Sequence, residues 1–320
     1  MAERELLVGD IGGTNARFAV AEPGGALRDI KVLKVADHER FDDALGAYID
    51  HLETKPSALC IASAGAVQGD TITLTNAPWS LGENKLAVDF GFSAVRLIND
   101  FQAQARFAGT MPDSAGEIIK AGNPVAGAPV LTVGPGTGFG QSLYVPGHPP
   151  TVVACEGGHR LLPVRNDREL RLFNRLKERF EHPPILEYVL SGRGIVHLFE
   201  QCVIEAGGTP APTEPPEVTK AALEGEGPAR ETIRWFIDIL ACAAADACLS
   251  TGARGGVAIS GGIMPRFIPL LDRDAFAATF ARPGILKQYL SEVPVRLVTD
   301  PYAALYGAAC VMRDLLKTGH

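Results

Sequence analysis

Short runs rich in Val, Ile and Leu, many of them closed by glycine, recur along the chain and predict strands. They lie at Glu5–Gly12, Ala16–Ala21, Ile30–Val35, Ala58–Gly65, Thr71–Asn76, Val95–Asn99, Val130–Gly134, Gly140–Val145, Val152–Gly157, Gly256–Gly261 and Val295–Asp300. Between them, apolar positions on a helical period predict helices over Arg40–Glu53, Asp167–Phe180 and Pro228–Ser250, with Tyr302–Leu316 last in the sequence. Strands alternating with helices predict an α/β protein whose sheets are covered on both faces.

One pattern occurs twice. A strand ends in a glycine turn, GDIGGTNARFAV, and the chain returns at once as a second strand; GPGTGFGQSLYV does the same much later. Two lobes on one plan would face these turns across a cleft, although two unrelated Gly-rich hairpins would read alike. A length of 320 residues suits two lobes. The Gly-, Pro- and Ala-rich segment Gly109–Gly127 is where one lobe would hand over to the next, and Gly207–Glu217 reads as a surface loop.

Composition narrows the classes. With 46% apolar and 21% charged residues the chain is an ordinary globular one rather than a disordered one. A formal charge of −7 with mixed signs offers no basic face for nucleic acid, so phosphates would have to be met locally, by backbone N–H groups and a metal ion. The six cysteines are scattered with no C-x-x-C pair, which predicts buried free thiols in a reducing compartment. The apolar stretch Ile233–Leu249 carries Arg234, Asp238 and Asp246, a pattern for a buried helix rather than a membrane span. No charged-then-apolar leader opens the sequence, and the expectation is a cytoplasmic protein.

Four motifs carry chemistry. In Asp10-Ile11-Gly12-Gly13-Thr14-Asn15, a carboxylate at the end of a buried strand needs a cation or several donors. Gly12 and Gly13 would let the backbone approach an anion and Thr14 adds a hydroxyl, so the turn suits a Mg²⁺-bound triphosphate with Asp10 towards the metal's water shell. A tight hairpin with a capping aspartate is the alternative. The second turn, with Gly136, Thr137 and Gly138, spends more glycine than a strand needs, as close approach to phosphate or a flexible hairpin would require. Asn99 and Asp100 follow an apolar strand, either as a helix cap or as a general base, Asp100, with Asn99 holding neighbouring sugar hydroxyls. Glu156, His159 and Glu187 offer charged and bidentate partners for sugar hydroxyls. Metal ligation by Cys155 and His159 competes for the first segment, and a solvated helix position competes for Glu187.

Together these motifs resemble the bacterial glucokinase family, within the wider group of sugar kinases, actins and heat-shock ATPases. The resemblance runs through GDIGGTNARF, LINDF, GPGTGFG, CEGGH, EYVLSG, ISGGIMPRF and DPYAALYGAA, covering essentially the whole chain. It implies a two-lobed, actin-like (ribonuclease H-like) α/β ATPase fold with a cleft between the lobes. The smaller domain would comprise 1–109 plus 300–320 and the larger 110–299. It implies ATP-dependent phosphorylation of the 6-hydroxyl of glucose, with ATP and Mg²⁺ required, Asp100 as catalytic base and Asn99, Glu156, His159 and Glu187 as sugar ligands. Asp10, Gly12, Gly13, Thr14, Asn15, Gly136, Thr137 and Gly138 would cradle the phosphates, Gly261 and Gly262 would lie against the adenosine, and Asn76 would belong to the sugar side. The resemblance also implies a homodimer that binds neither nucleic acid nor membrane. Kinases of another hexose or N-acetylhexosamine, and a sugar-sensing regulator, are the alternatives. Two departures stand out: Arg160 after EGGH, expected at the rim of the sugar pocket, and Asp300-Pro301 where Asn-Pro is more usual. The cysteine cluster of zinc-containing repressor-type sugar kinases is absent from the sequence, so no structural zinc is expected.

Overall fold

Leu6–Ile11 (β1) is almost wholly buried, turns at Gly12–Thr14, and returns antiparallel as Asn15–Ala21 (β2) and again as Leu27–Lys34 (β3). The computed structural model describes residues 4–65, 67–74 and 79–318. After Phe41–Ile49 (α1) the chain re-enters the sheet beside β1 as Ala58–Ser63 (β4), parallel to it and buried at every position. Val67–Gln68 (β5), Thr71–Thr73 (β6) and Ser80–Gly82 (β7) form a small antiparallel sheet. Glu83–Phe90 (α2), Ala94–Asn99 (β8) and Asp100–Ala108 (α3) follow, and the main sheet has the order β3-β2-β1-β4-β8. Strands buried on both faces read as unbroken apolar runs, which is why β1 and β4 are legible in sequence.

The two faces of this sheet have separate cores. Leu7, Ile11, Leu59, Ile61 and Leu97 pack with Phe18, Phe41, Leu45, Tyr48 and Trp79, whereas Leu6, Val8, Cys60, Ala62 and Ile98 face the other way. Helix α1 ends at Ile49, four residues before the expected Glu53. The Lys55-Pro56 step that follows is disfavoured in helical geometry.

The second compact unit, Asp113–Leu143 with Cys155–Thr299, begins with Gly116–Lys120 (β9). Val130–Pro135 (β10), Phe139–Val145 (β11) and Thr151–Cys155 (β12) come next, although Tyr144–Ala154 belongs with the first unit. Helices Asp167–Phe180 (α4), Gly192–Glu205 (α5), Pro215–Glu224 (α6) and Pro228–Thr251 (α7) precede Gly256–Ile259 (β13). Met264–Phe267 (α8), Arg273–Phe280 (α9), Lys287–Ser291 (α10) and Val295–Val298 (β14) complete the series, with sheet order β12-β11-β10-β13-β14-β9. Helix α7 supplies much of the core, its alanines at 241, 243, 244, 245 and 247 all buried. Ala303–Thr318 (α11) returns to the first unit, which otherwise comprises Met1–Pro112 and Tyr144–Ala154. There α11 covers the face of Leu6, Val8 and Cys60 with Ala304, Leu305, Ala308 and Met312. Its packing on α3 is close: a Cβ on Gly307 would lie 1.9 Å from the Ala103 carbonyl oxygen. Arg106 Nε donates to Asp314 Oδ2 at 2.7 Å, and Phe107 stacks on Tyr306 with centroids 5.8 Å apart, fixing the helix pair along its length.

The stretches read as a junction between lobes and as a surface loop hold regular elements. Within Gly109–Gly127 lies β9, an edge strand antiparallel to β14, whose short Glu-Ile-Ile-Lys run is masked by the glycine and proline around it. The supposed loop Gly207–Glu217 ends in the first turn of α6, where Pro215 takes the first helical position and Glu217 accepts from the Glu214 N–H.

Lys120 fastens the edge strand. It is buried at 6% exposure, and its ammonium donates to the carbonyls of Ser291 (2.6 Å), Val293 (2.7 Å) and Ala121 (3.2 Å). Burial holds its pKa below the ordinary 10.5, with Glu292 and Cys248 pulling the other way. Lys120→Met leaves those carbonyls without their donor and is expected to lose on the order of 2 kcal/mol at pH 7. Because the folded state releases this proton before the unfolded state does, the native lysine's contribution rises with pH between its depressed folded value and 10.5. Urea midpoints measured from pH 7 to 10 should therefore diverge between native protein and variant; parallel curves would contradict the assignment.

Candidate active site

In the first unit, chemistry gathers where β1, β4 and β8 end. Asp10 is the penultimate residue of β1, and Arg17, its cross-strand partner on β2, brings a guanidinium nitrogen within 3.0 Å of Asp10 Oδ2. Burial raises the Asp10 carboxyl above its ordinary value, and the Arg17 charge opposes that shift. The turn is closed by Gly12 N–H donating to the Asn15 carbonyl at 3.0 Å, while the Thr14 carbonyl accepts from Val35. Gly13 and Thr14 are exposed at its tip, and Asn15 starts β2.

Asn99 is the N-cap of α3. Its Oδ1 accepts from the Phe101 N–H at 2.9 Å, its backbone N–H donates to Gln102 Oε1, and its side-chain amide donates to the Gly65 carbonyl at 3.1 Å. The cap reading is thus correct for Asn99. It sets Asp100 in the first turn of α3, half-buried, with Oδ1 2.9 Å from the Phe101 N–H. The N-terminal end of a helix favours negative charge, which suits a carboxylate at this position. Asn76 lies outside the described residues.

The second unit brings four motifs together. Glu187, in the 3-10 turn Leu186–Tyr188, accepts from the Phe139 N–H at 2.8 Å through Oε2. A Cβ on Gly138 would sit 2.4 Å from that oxygen, and one on Gly158 would sit 3.3 Å from it and 2.5 Å from the Phe139 carbonyl. The Glu187 carboxylate is therefore wedged against both the GPGTGFG and EGGH turns. Glu187 is not the solvated helix residue that the sequence left open. Gly136 N–H donates to the Gly138 carbonyl, and the Gly136 carbonyl accepts from Gly192 at the start of α5. Gly261 has φ +89° and lies where a Cβ would meet the Pro135 carbonyl at 2.6 Å, so the ISGG turn abuts the second glycine turn. By contrast, a Cβ at Gly136 or Gly262 would meet nothing within 4 Å. Neither has a positive φ, so neither packing nor backbone strain explains these two glycines. A ligand approaching the backbone closely would. Thr137, Glu156 and His159 are exposed, and their side chains make no hydrogen bond among the described residues.

Arg160 departs from expectation. Its guanidinium is directed not to the pocket rim but onto α7, donating to the Ala243 carbonyl at 2.8 Å, while its own carbonyl accepts from Leu186. At the second departure, Asp300 Oδ1 accepts from the Tyr302 N–H at 2.8 Å, an Asx-type turn that asparagine would make equally well. Sequence reading missed three contributors: Arg17, Gly65, and Gln141, which is buried beneath the EGGH turn where a Cβ on Gly157 would strike its Oε1 at 2.1 Å. Strict alternation across the first hairpin points to Arg17; no local signal marks the other two.

Among the described residues no helix is long and apolar enough to cross a membrane. All six cysteines are free, four of them buried. The profile of the family described as Glucokinase matches residues 7–315. The glucokinase of Paramagnetospirillum magneticum is 36% identical over 316 residues, 97% of this chain and 98% of that protein. The crystal structure of a glucokinase from an Antarctic psychrotroph superposes with a TM-score of 0.88 at 33% identity, covering 97% of this chain and 99% of the other. A ROK family glucokinase from Streptomyces griseus, solved with glucose and AMPPNP, shares the fold at a TM-score of 0.65 and 18% identity, over 96% of this chain and 98% of its own. With an actin-like α/β fold and a family match across nearly its whole length, this chain belongs to the glucokinase family.

Proposed function

We propose that the protein transfers the γ-phosphoryl group of ATP to the 6-hydroxyl of D-glucose, giving glucose 6-phosphate and ADP. The observation that carries this reading is the Glu187 carboxylate held by the Phe139 N–H against Gly138: one contact joins the carboxylate read as a sugar ligand to the glycine turn read as a phosphate cradle. Glu187 Oε1 makes no hydrogen bond among the described residues, which leaves it for a sugar hydroxyl. Glu156 and His159 would grip adjacent hydroxyls, and Asn99 would orient them. Asp100 accepts the proton as the new P–O bond forms, a late role suited to phosphoryl transfer, in which positioning and charge neutralisation dominate. The turns at Gly12–Asn15 and Gly136–Gly138 would hold phosphate oxygens through backbone N–H groups and the Thr14 and Thr137 hydroxyls, and Gly261 and Gly262 would admit the adenosine.

Among the described residues no group of three or more His, Cys, Asp and Glu side chains is placed to hold a metal unaided. A single carboxylate such as Asp10 fits Mg²⁺, which keeps several waters and binds with the substrate's phosphates. When bound with ATP, the ion supplies charge neutralisation at the transferred phosphoryl group. Work in the cytoplasm at the head of glycolysis, as a homodimer, completes the reading on the family resemblance.

The test is coupled-assay turnover with Mg-ATP on glucose, mannose, fructose, N-acetylglucosamine and N-acetylmannosamine. Preference for glucose is expected. Preference for another sugar would redirect attention to Glu156, His159 and Glu187, and absence of turnover on all five would overturn the kinase reading.

A further inference from the structure

We propose that His197, on the first turns of α5, is a positioning residue that holds the turn carrying Glu187 in its sugar-binding orientation. This rests on the reading of Glu187 as a sugar ligand. The imidazole Nδ1 of His197 lies 2.7 Å from the carbonyl oxygen of Tyr188, the residue immediately after Glu187. A carbonyl can only accept, so Nδ1 carries the proton and donates.

The surroundings fix the ring in that role. Phe180 meets it edge-on, with centroids 5.6 Å apart, and also packs on Tyr188 at 4.2 Å. Arg175, on α4, donates to the His197 carbonyl at 2.5 Å and binds the Glu200 carboxylate at 2.8 Å. Burial chiefly, with the charges of Arg179 and Arg175, keeps the imidazole's pKa below its ordinary 6.5, against the Tyr188 hydrogen bond and Glu200. The ring is thus neutral at physiological pH, as the Nδ1–H tautomer.

Other anchors of the turn are main-chain bonds, among them Tyr188 N–H donating to the Ile185 carbonyl at 3.1 Å. Leu186 N–H is held by the Arg160 carbonyl, and the N–H groups of Val189 and Leu190 both fold back onto the Leu186 carbonyl. These bonds close the turn on itself and tie it to Arg160, and His197 is the side chain that ties the Tyr188 carbonyl to α5. Without the imidazole donor, the Tyr188 carbonyl loses its tie to α5, and the turn that aims the Glu187 carboxylate at Phe139 N–H loosens.

The experiment compares His197→Leu, His197→Asn and Glu187→Gln by steady-state kinetics with glucose and ATP varied separately, alongside melting temperature. Leucine removes the donor, whereas the asparagine amide can reproduce Nδ1–H at nearly the same reach. His197→Leu is expected to raise the glucose KM about tenfold, equivalent to 1.4 kcal/mol, with the ATP KM within about twofold of native; His197→Asn should recover most of the loss. Should the leucine variant not fold, His197→Ser, polar but too short to reach the carbonyl, takes its place. An unchanged glucose KM, or both KM values rising together without rescue by asparagine, would overturn the proposal. Glu187→Gln separates the levels: if it too leaves the glucose KM unchanged, Glu187 is no sugar ligand and the underlying reading fails. If it raises that KM while His197→Leu does not, only the role of His197 fails.

Discussion

Asp100→Asn is expected to bind glucose with near-native affinity and to turn over roughly two to four orders of magnitude more slowly, the usual scale for loss of a general base. The substitution keeps size and shape. The amide oxygen can still accept from Phe101 N–H as Asp100 Oδ1 does at 2.9 Å, and the Asn99 cap that starts α3 is untouched. What disappears is the carboxylate proposed to take the sugar proton. Titrating glucose against the variant by calorimetry, and measuring kcat by the coupled assay, separates the two effects. Turnover retained within a few-fold of native would remove Asp100 from the chemistry. Equal losses of binding and turnover would instead make it a sugar ligand.

The second large effect concerns packing. Gly307→Ala places a methyl group 1.9 Å from the Ala103 carbonyl oxygen, a backbone atom that no rotamer change can move aside. Alanine's higher helix propensity offers up to about 1 kcal/mol in compensation. Forcing α11 away from α3 separates the Arg106–Asp314 pair and the Phe107–Tyr306 stack. Overpacking of this kind costs about 1–3 kcal/mol, and a backbone clash this close lies at the top of that range. Because Asp100 opens α3, turnover should fall together with stability. Gly46→Ala in α1 is the informative contrast: its Cβ would meet only Phe90 Cε1, at an ordinary 3.9 Å. That variant should gain about 0.5–1 kcal/mol from helix propensity alone. Urea midpoints moving in opposite directions for the same chemical change would establish the contact; two gains would refute it.

The parts of the fold legible in sequence are those written locally. The apolar runs of β1 and β4 announce buried parallel strands because both faces are covered, and the long period of α7 announces a buried helix. Glycine turns announce themselves by composition. Strand β9 was hidden because two isoleucines among glycine and proline fall below any periodic signal, and its stability comes from Lys120 reaching carbonyls far away in sequence. The same division runs through the candidate site. Asp10, Asn99 and Asp100 stand out as polar residues at the ends of apolar segments, and Glu187 as a lone charge within one. The bonds that bring the motifs of the second unit together all use main-chain donors: Gly192 to the Gly136 carbonyl, Leu186 to the Arg160 carbonyl, and Phe139 N–H to the Glu187 carboxylate. Main-chain donors are the same in every residue type, so composition says nothing of which ones meet. Asn99 caps α3, and that places Asp100 in the first turn of the helix.

The return of α11 to the first unit has a consequence for synthesis on the ribosome. Leu6, Val8 and Cys60 emerge early, yet Leu305, Ala308 and Met312, which cover them, are translated after the entire second unit. Throughout that interval the nascent sheet holds an uncovered apolar face, the kind of surface on which chaperones act and aggregation begins. Closure of that face joins residues of very high contact order, which makes it a slow, late event in folding. The opposite face, by contrast, draws its core from Leu7 to Leu97 and has all its partners within the first third of the chain.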